Sequence, residues 1–206
     1  MPSGDEAPVE ARLETFGPSV MPSHDAWPKL MGWWLTHARG ANTPNWDIAL
    51  ACEIEGKAGL VLVEAKANVP ELSEAGKRLD TDASPNSNEN HMRIGGAIAE
   101  AQTALHEHLP GISISRDRHY QLSNRLAFGW KLANLGIPTV ILYLGFIGDR
   151  GLAKPFLNEA HWNEVFAIHM AGVCPPSAIG TQLPVGPAGL WIMSRTRVVL
   201  EPSNPA

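Results

Sequence analysis

The segment Gly59–Ala67, with the sequence GLVLVEAKA, decides how the rest of the chain is interpreted. Its aliphatic run, Leu60 to Val63, is typical of a strand in a protein core, yet Glu64 and Lys66 follow it without interruption. Because side chains alternate along a strand, Glu64 and Lys66 share one face. Charges on a buried face cost several kcal/mol each unless they are paired or hold a metal ion. The segment therefore predicts an ionic or metal site at the end of a buried strand.

The residues before this strand predict a β-hairpin. Trp46–Ile54 is rich in aliphatic and β-branched residues, and a Gly-Lys pair at 56–57 follows it. Such a pair is typical of a type II′ turn, in which glycine takes the first central position with a positive φ. Counting outward from that turn sets Asp47 opposite Lys66, on the face that also carries Glu64. Two carboxylates and one ammonium group are thus expected to converge at one end of the hairpin.

This set of side chains suits a hard divalent cation. Mg²⁺ and Mn²⁺ prefer oxygen ligands, and they take one or two carboxylates together with waters and phosphate oxygens of a substrate. Such an ion lowers the pKa of a bound water and neutralises charge on a phosphate, while a nearby lysine can orient or deprotonate the attacking water. The chemistry that these residues indicate is phosphodiester hydrolysis.

The motif Asn45-Trp46-Asp47, followed after sixteen intervening residues by Glu64-Ala65-Lys66, resembles the PD-(D/E)xK nuclease superfamily. The core of that family is a helix, a three-stranded antiparallel meander, a helix and a further strand, with the Asp on the second strand and the E-x-K on the third. The resemblance covers about residues 25–146. It implies that Asp47, Glu64 and the Ala65 carbonyl hold the metal, and that Lys66 acts on the water.

Three features depart from the family pattern. The proline that precedes the family's Asp is displaced here to Pro44. The first predicted helix has no glutamate to match the acidic residue that some members place there, and Glu14 is the upstream candidate. The first strand of the meander has no clear counterpart. The alternative without a functional site, in which Glu64 and Lys66 form the solvated face of an edge strand, therefore stays open.

Further candidate residues lie outside the motif. Gln121 and Arg125 are one turn apart on the polar stripe of a mostly apolar predicted helix, and some relatives direct a Gln or a basic residue from such a helix into the site. Structural hydrogen bonding is an equal alternative for both. The polar segment 68–90 predicts a long mobile loop, and its Lys77 and Arg78, with the nearby His91 and Arg93, are candidates for phosphate contacts.

The remaining pattern predicts an arm and a single domain. Residues 1–23 are rich in proline and poor in large apolar groups, which predicts a weakly ordered arm. Residues 24–206 predict one restriction-endonuclease-like α/β domain, with a central mixed sheet flanked by helices. Helices are expected at about 26–38, 90–108, 119–135 and 159–170, a buried strand at 137–146, and a terminal strand near 190–200.

Composition limits the possible partners. The net charge of −5 over 206 residues means that any nucleic-acid contact must be local, because a broad electrostatic footprint requires a basic excess. No apolar run is long enough to span a membrane, and the acidic N-terminus lacks the features of a signal peptide, so a cytoplasmic location is expected. The two cysteines, Cys52 and Cys174, exclude a disulfide framework and a four-thiolate zinc site.

Two functional hypotheses follow from the sequence. The leading hypothesis is an Mg²⁺-dependent (or Mn²⁺-dependent) nuclease that acts on DNA rather than RNA, with a homodimer left open. The alternative is a non-cutting restriction-endonuclease-like domain that binds nucleic acid or a protein partner in a defence or repair system.

Overall fold

A five-stranded mixed β-sheet forms the centre of the protein. The computed structural model describes Glu10, Ala11, Leu13 and residues 25–39 and 41–199. The strands are β1 (Ile48–Ile54), β2 (Lys57–Lys66), β3 (Thr139–Ile147), β4 (Gln182–Leu183) and β5 (Leu190–Val198). Their spatial order is β1-β2-β3-β5-β4. The pairs β2/β3 and β3/β5 are parallel, whereas β1/β2 and β4/β5 are antiparallel.

Four helices of the described residues flank this sheet, in agreement with the predicted α/β class. They are α1 (Ala26–Trp34), α2 (Pro85–His108), α3 (Tyr120–Asn134) and α4 (Glu159–Met170), with short 3₁₀ turns at Val69–Glu71 and Pro176–Ala178. Their bounds lie close to the predicted ones except at two places, since α1 ends at Trp34 rather than near residue 38 and α2 starts earlier than predicted. That helix begins at Pro85 rather than near 90, because the Ser84 side chain caps it by accepting a hydrogen bond from the Ser87 backbone N–H at 3.2 Å.

Both α3 and α4 pack on the sheet face that carries Glu64. Gly129 of α3 lies so close to the sheet that an added Cβ would meet Ile141 at 2.6 Å. On α4, Phe166 contacts the ring of Tyr143 with centroids 5.2 Å apart, and the Trp162 indole donates a hydrogen bond to the Ser194 hydroxyl at 2.8 Å. Glu64 is paired with Tyr143 in the β2/β3 register, so its side chain enters this helix-covered layer.

The hairpin turn differs from its prediction. Glu55 and Gly56 are the two loop residues, and both have positive φ values of 51° and 76°. Positive φ at both central positions is the pattern of a type I′ turn, not of a type II′ turn centred on Gly56 and Lys57. A left-handed Glu55 costs about 1–2 kcal/mol, which the pairing of the aliphatic strands offsets.

The new turn moves the strand register by two residues. Ile48 pairs with Val63, so Asp47 lies just beyond this pair and is not opposite Lys66. The Asp47 backbone N–H donates to the Val63 carbonyl at 3.1 Å. The Asp47 carboxylate still lies close enough to Glu64 and Lys66 for their charges to act on it.

The polar segment 68–90, predicted as a mobile loop, is in large part built into the fold. Its last residues belong to α2, and its middle is tied to the chain before α3 by backbone hydrogen bonds. His119 N–H donates to the Glu74 carbonyl at 2.8 Å, Tyr120 N–H to Ala75 at 2.9 Å, and Lys77 N–H to Arg116 at 2.8 Å. The loop prediction was wrong for residues 85–90, which are helical, and composition carries no information about the long-range backbone pairing of residues 74–77. Residues 72–84 have no helix or strand, as predicted, and their mobility stays a prediction.

The predicted arm, residues 1–23, lies outside the described residues except at three positions. Ala11 forms an isolated antiparallel bridge with Trp46, and Leu13 is fully buried. Among the described residues, this bridge lies at the position that the first strand of the meander would occupy. None of the described helices combines the length and the apolar character that crossing a membrane requires.

Candidate functional site

The site is built around Glu64 and Lys66 at the end of β2. Their side chains are 3% and 6% exposed, so the solvated-edge alternative is wrong for this pair. The Lys66 ammonium donates to Glu64 Oε1 at 2.6 Å. Two residues apart on one strand face, they form a buried ion pair whose desolvation cost must be offset by further hydrogen bonds.

Arg125 of α3 supplies those further hydrogen bonds. Its Nε and Nη2 atoms lie 2.8 and 2.7 Å from Glu64 Oε2. Nη1 donates to the Asn124 Oδ1 atom at 2.7 Å, and Nη2 also donates to the Asn45 carbonyl at 2.6 Å. The guanidinium group lies 4.7 Å from the centre of the Trp46 ring. Arg125 is therefore a fixed buried cation that faces Glu64, not a solvated residue of a polar helix stripe.

Asp47 lies at the exposed rim of the same site. Its Oδ2 atom accepts a hydrogen bond from the Ala65 backbone N–H at 2.6 Å, which joins it to the strand of Glu64 and Lys66. Loss of hydration, with the nearby charges of Glu64 and Glu10, raises the pKa of Asp47 against the opposing effects of the Ala65 N–H and Lys66. Burial is thus the main cause that disfavours the charged carboxylate, and a bound cation would favour the charged form.

Asn45 connects this rim to the N-terminal residues. Its Nδ2 donates to the Glu10 carboxylate at 2.8 Å, while its Oδ1 atom is buried and has no hydrogen-bond partner among the described residues. A buried acceptor without a donor is costly, and it marks a place where a water, a cation or a ligand N–H is expected. Glu10 is an upstream carboxylate that the structure brings near Asp47, whereas the candidate Glu14 lies outside the described residues.

On its inner side the site borders a second group of buried polar side chains. The rings of His119 and His169 are 5.7 Å apart, and Tyr143 follows at 6.5 Å from His169. Burial, with the neighbouring His119 and Lys66, lowers the pKa of His169 to about 4. His119 Nδ1, His169 Nδ1 and Tyr143 Oη have no hydrogen-bond partner in the described structure. This group keeps His169 neutral beside the charged pair.

A cleft of about 780 Å³ adjoins the site on its outer side. Asn45, Asn124 and Arg125 line it, so the residues that hold Glu64 also form one wall of the cleft. Three further cationic side chains, Arg39, Lys77 and Arg78, line it as well. The cleft therefore joins a cationic surface to the buried Glu64–Lys66 pair through the guanidinium group of Arg125.

The structure brings together most of the predicted site residues. Asp47, Glu64, Ala65 and Lys66 meet at one end of the hairpin, and Arg125 joins them directly. Gln121 is half-buried one turn before Arg125 and does not line the cleft. Arg93 points elsewhere, because its Nη2 atom donates to the Gly32 carbonyl of α1 at 2.5 Å.

Some residues of the site were missed from the sequence. Asn124 precedes Arg125 on the same helix, and Tyr143 occupies an alternate position of β3. The sequence pattern around each residue therefore predicts the helix or the strand but not a place in the site. Arg39 lies after α1 and His169 near the end of α4, where nothing in the local sequence marks them. Only the three-dimensional packing assigns these residues to the site.

The oxygen atoms at the site are of the type that a hard divalent cation takes as ligands. Asp47 and Glu64 supply carboxylate oxygens, and Asn45 Oδ1 is a buried acceptor without a donor. Among the described residues no three His, Cys, Asp or Glu side chains gather as a metal site, so the remaining ligands would be carbonyl or water oxygens. Both Glu64 oxygens already accept hydrogen bonds from cations, and at least one of these contacts must loosen for the ion to bind.

Comparisons of the chain with models of protein families, with curated proteins and with solved structures find no match in any of the three.

Proposed function

We propose that the protein is a metal-dependent phosphodiester hydrolase that cuts DNA, with Asp47, Glu64 and the Ala65 carbonyl as ligands of Mg²⁺ or Mn²⁺. One observation carries the proposal. Glu64 and Lys66 are buried side by side on one strand face, 2.6 Å apart, while Asp47 is hydrogen-bonded to Ala65 between them. A core that needed only stability would gain as much from apolar side chains at these positions.

Each residue of the set has a distinct role in this proposal. The ion, when bound, would neutralise charge on the phosphate and lower the pKa of water. Lys66, as an ammonium group, would orient the attacking water and stabilise the negative charge that develops, and the proton of that water would pass to the solvent. Attack at phosphorus breaks one P–O bond and leaves a phosphate end and a hydroxyl end. Arg125 would hold Glu64 in position and contribute positive charge beside the phosphate.

The adjoining cleft supports the proposal because it could attract an anionic substrate. It provides cationic and amide side chains next to Arg125, within a chain whose net charge is −5. An anionic polymer is thus attracted locally rather than by the whole surface. This agrees with the expectation that nucleic-acid contacts are confined to one region.

A specific observation favours the second candidate, a non-cutting domain that binds nucleic acid or a protein partner. Glu64 accepts hydrogen bonds from both Lys66 and Arg125, so its charge is already compensated without a metal ion. If that network is purely structural, Lys66 has no water to act on, and the cleft alone would carry function.

A cleavage assay separates the two candidates. Single-stranded and duplex DNA are incubated with the wild-type protein in Mg²⁺, in Mn²⁺ and in EDTA, beside Lys66→Met and the control Lys57→Met, which changes an exposed lysine at the opposite end of β2. We expect metal-dependent cleavage that Lys66→Met lowers about 10²-fold or more and that Lys57→Met leaves unchanged. Absence of cleavage in every wild-type reaction, with DNA binding retained, would establish the non-cutting domain.

A further inference from the structure

The cleft beside the site carries three cationic side chains that form no ion pair among the described residues. Arg39, Lys77 and Arg78 line it, and none of them forms an ion pair within the described part of the chain. By contrast, Arg116 and Lys131 each pair with a carboxylate elsewhere on the surface. In a protein with more acidic than basic residues, three cations without an ion pair on one cleft favour an anionic ligand.

Lys77 is held in place before any ligand binds. Its backbone N–H donates to the Arg116 carbonyl at 2.8 Å, and its ammonium group lies 5.1 Å from the centre of the Tyr120 ring. Loss of hydration lowers its pKa, which shows that the charge is partly withdrawn from water. An anion bound there would meet a preorganised cation at reduced desolvation cost.

The lining of the cleft also offers amide groups. Asn42, Asn45, Asn86 and Asn124 line it, and the buried Asn45 Oδ1 atom has no donor among the described residues. Amides of this kind match the donors and acceptors on the edges of nucleobases. Two carboxylates, Glu10 and Asp80, also line the cleft, so cations remain in excess.

The size of the cleft favours single-stranded over double-stranded nucleic acid as its ligand. A volume of about 780 Å³ lies in the range of sites that enclose a small molecule, roughly the size of one or two nucleotides. A double helix could only lie across its opening, because its bases are stacked and paired inside. An unpaired strand can bring both its phosphates and its base edges into the cleft.

We infer that the cleft binds a single strand of nucleic acid. Its phosphates would contact Arg39, Lys77 and Arg78, and one or two unpaired nucleotides would contact the asparagine side chains that line the cleft. The inference rests on the proposed function and narrows its substrate to unpaired DNA. The phosphodiester next to the bound nucleotides would then lie beside Arg125, on the cleft side of Glu64.

The test measures binding separately from cleavage. Fluorescence anisotropy follows a labelled 12-residue oligothymidylate, and a duplex of the same length, in EDTA over a series of salt concentrations. The variant Arg39→Gln/Lys77→Gln/Arg78→Gln is compared with Lys57→Gln/Lys154→Gln/Arg197→Gln, which removes the same charge from exposed residues that do not line the cleft. Thermal melting confirms that both variants are folded.

We expect the wild-type protein to bind the single strand more tightly than the duplex. The cleft variant should weaken single-strand binding roughly tenfold or more at low salt and lower the slope of log K against log salt by about 2, at about 0.7 per phosphate contact. The control variant should change neither quantity. If the triple variant is unstable, Arg39→Gln/Arg78→Gln changes exposed side chains only, and a slope change of about 1.4 is expected.

Equal affinity for single strand and duplex, or equal weakening in the cleft and control variants, would overturn the inference. The outcome is independent of cleavage. Cleft-dependent binding by a protein that cuts nothing would support the inference and reject the proposed function. Metal-dependent cleavage with binding unaffected by the cleft variant would retain the function and reject the inference.

Discussion

Replacing Arg125 by methionine should destabilise the protein far more than removing a surface cation. Arg125 donates to Glu64 Oε2, Asn124 Oδ1 and the Asn45 carbonyl, at distances between 2.6 and 2.8 Å. Methionine fills much of the same space but donates no hydrogen bond, so three buried acceptors lose their donor. Breaking a buried ion pair from one side costs about 3–5 kcal/mol, and we expect a loss of that size in the free energy of unfolding.

Urea denaturation in EDTA measures this loss, with Lys131→Met as the matched control. Lys131 also bonds a glutamate, Glu100, at 3.2 Å, but Glu100 is more than half exposed. Lys131 is itself 15% exposed and lies over the Trp33 and Trp130 rings, so the control should lose some stability, but less than Arg125→Met because its carboxylate partner stays in contact with water. A Glu64→Gln variant and the Arg125→Met/Glu64→Gln double variant complete a thermodynamic cycle, whose coupling free energy should exceed about 1 kcal/mol.

The reasoning would be refuted by an Arg125→Met protein that loses no more stability than Lys131→Met. It would also be refuted by a coupling free energy near zero, since Arg125 would then not be what compensates Glu64. Equal denaturant slopes in all variants are required, because a changed slope would mean that the unfolded state had altered as well.

Two other predictions test the layer around the site. The pKa of His169 is lowered to about 4, whereas the unfolded chain takes up this proton near pH 6.5, so stability should fall as the pH drops through that window, by about 3 kcal/mol at pH 4. Denaturation curves from pH 8 to pH 4 should show this loss in wild type and not in His169→Gln; parallel pH profiles would contradict it. Gly145→Ala would press its Cβ against the Trp162 ring and should cost about 1–3 kcal/mol. Gly96→Ala, which meets nothing within 4 Å on helix α2, should instead stabilise by up to about 1 kcal/mol, and a thermal melt in which both changes act alike would contradict the packing.

The sequence predicted the shared face of Glu64 and Lys66 better than the strand register. Alternation along β2 places these two side chains on one face whatever the pairing with β1, and Asp47 lies near them although it is not opposite Lys66. The turn was wrong because a glycine in a two-residue loop is compatible with two turn types, and only the pairing of the strands decides between them. A left-handed Glu55 has no local signal.

The partner of Glu64 could not be predicted from the sequence. Arg125 lies 61 residues away, and its helix position favoured a substrate contact and a structural hydrogen bond equally. The contact exists because Gly129 lets α3 approach Ile141, which brings the N-terminal half of the helix over Glu64. For the same reason the hydrogen bond of Arg93 to the Gly32 carbonyl could not be predicted, since it depends on the packing of α2 against α1.

The central claim, that Asp47 and Glu64 hold a divalent cation, is tested most directly by the effect of Mn²⁺ on thermal stability. At a concentration 100-fold above the dissociation constant, a bound ion adds about 2.7 kcal/mol, which corresponds to a rise in Tm of roughly 5–10 °C for a domain of this size. The wild-type protein should show this rise, and the Asp47→Asn/Glu64→Gln variant should not. Equal rises in both proteins, or none in either, would contradict the claim.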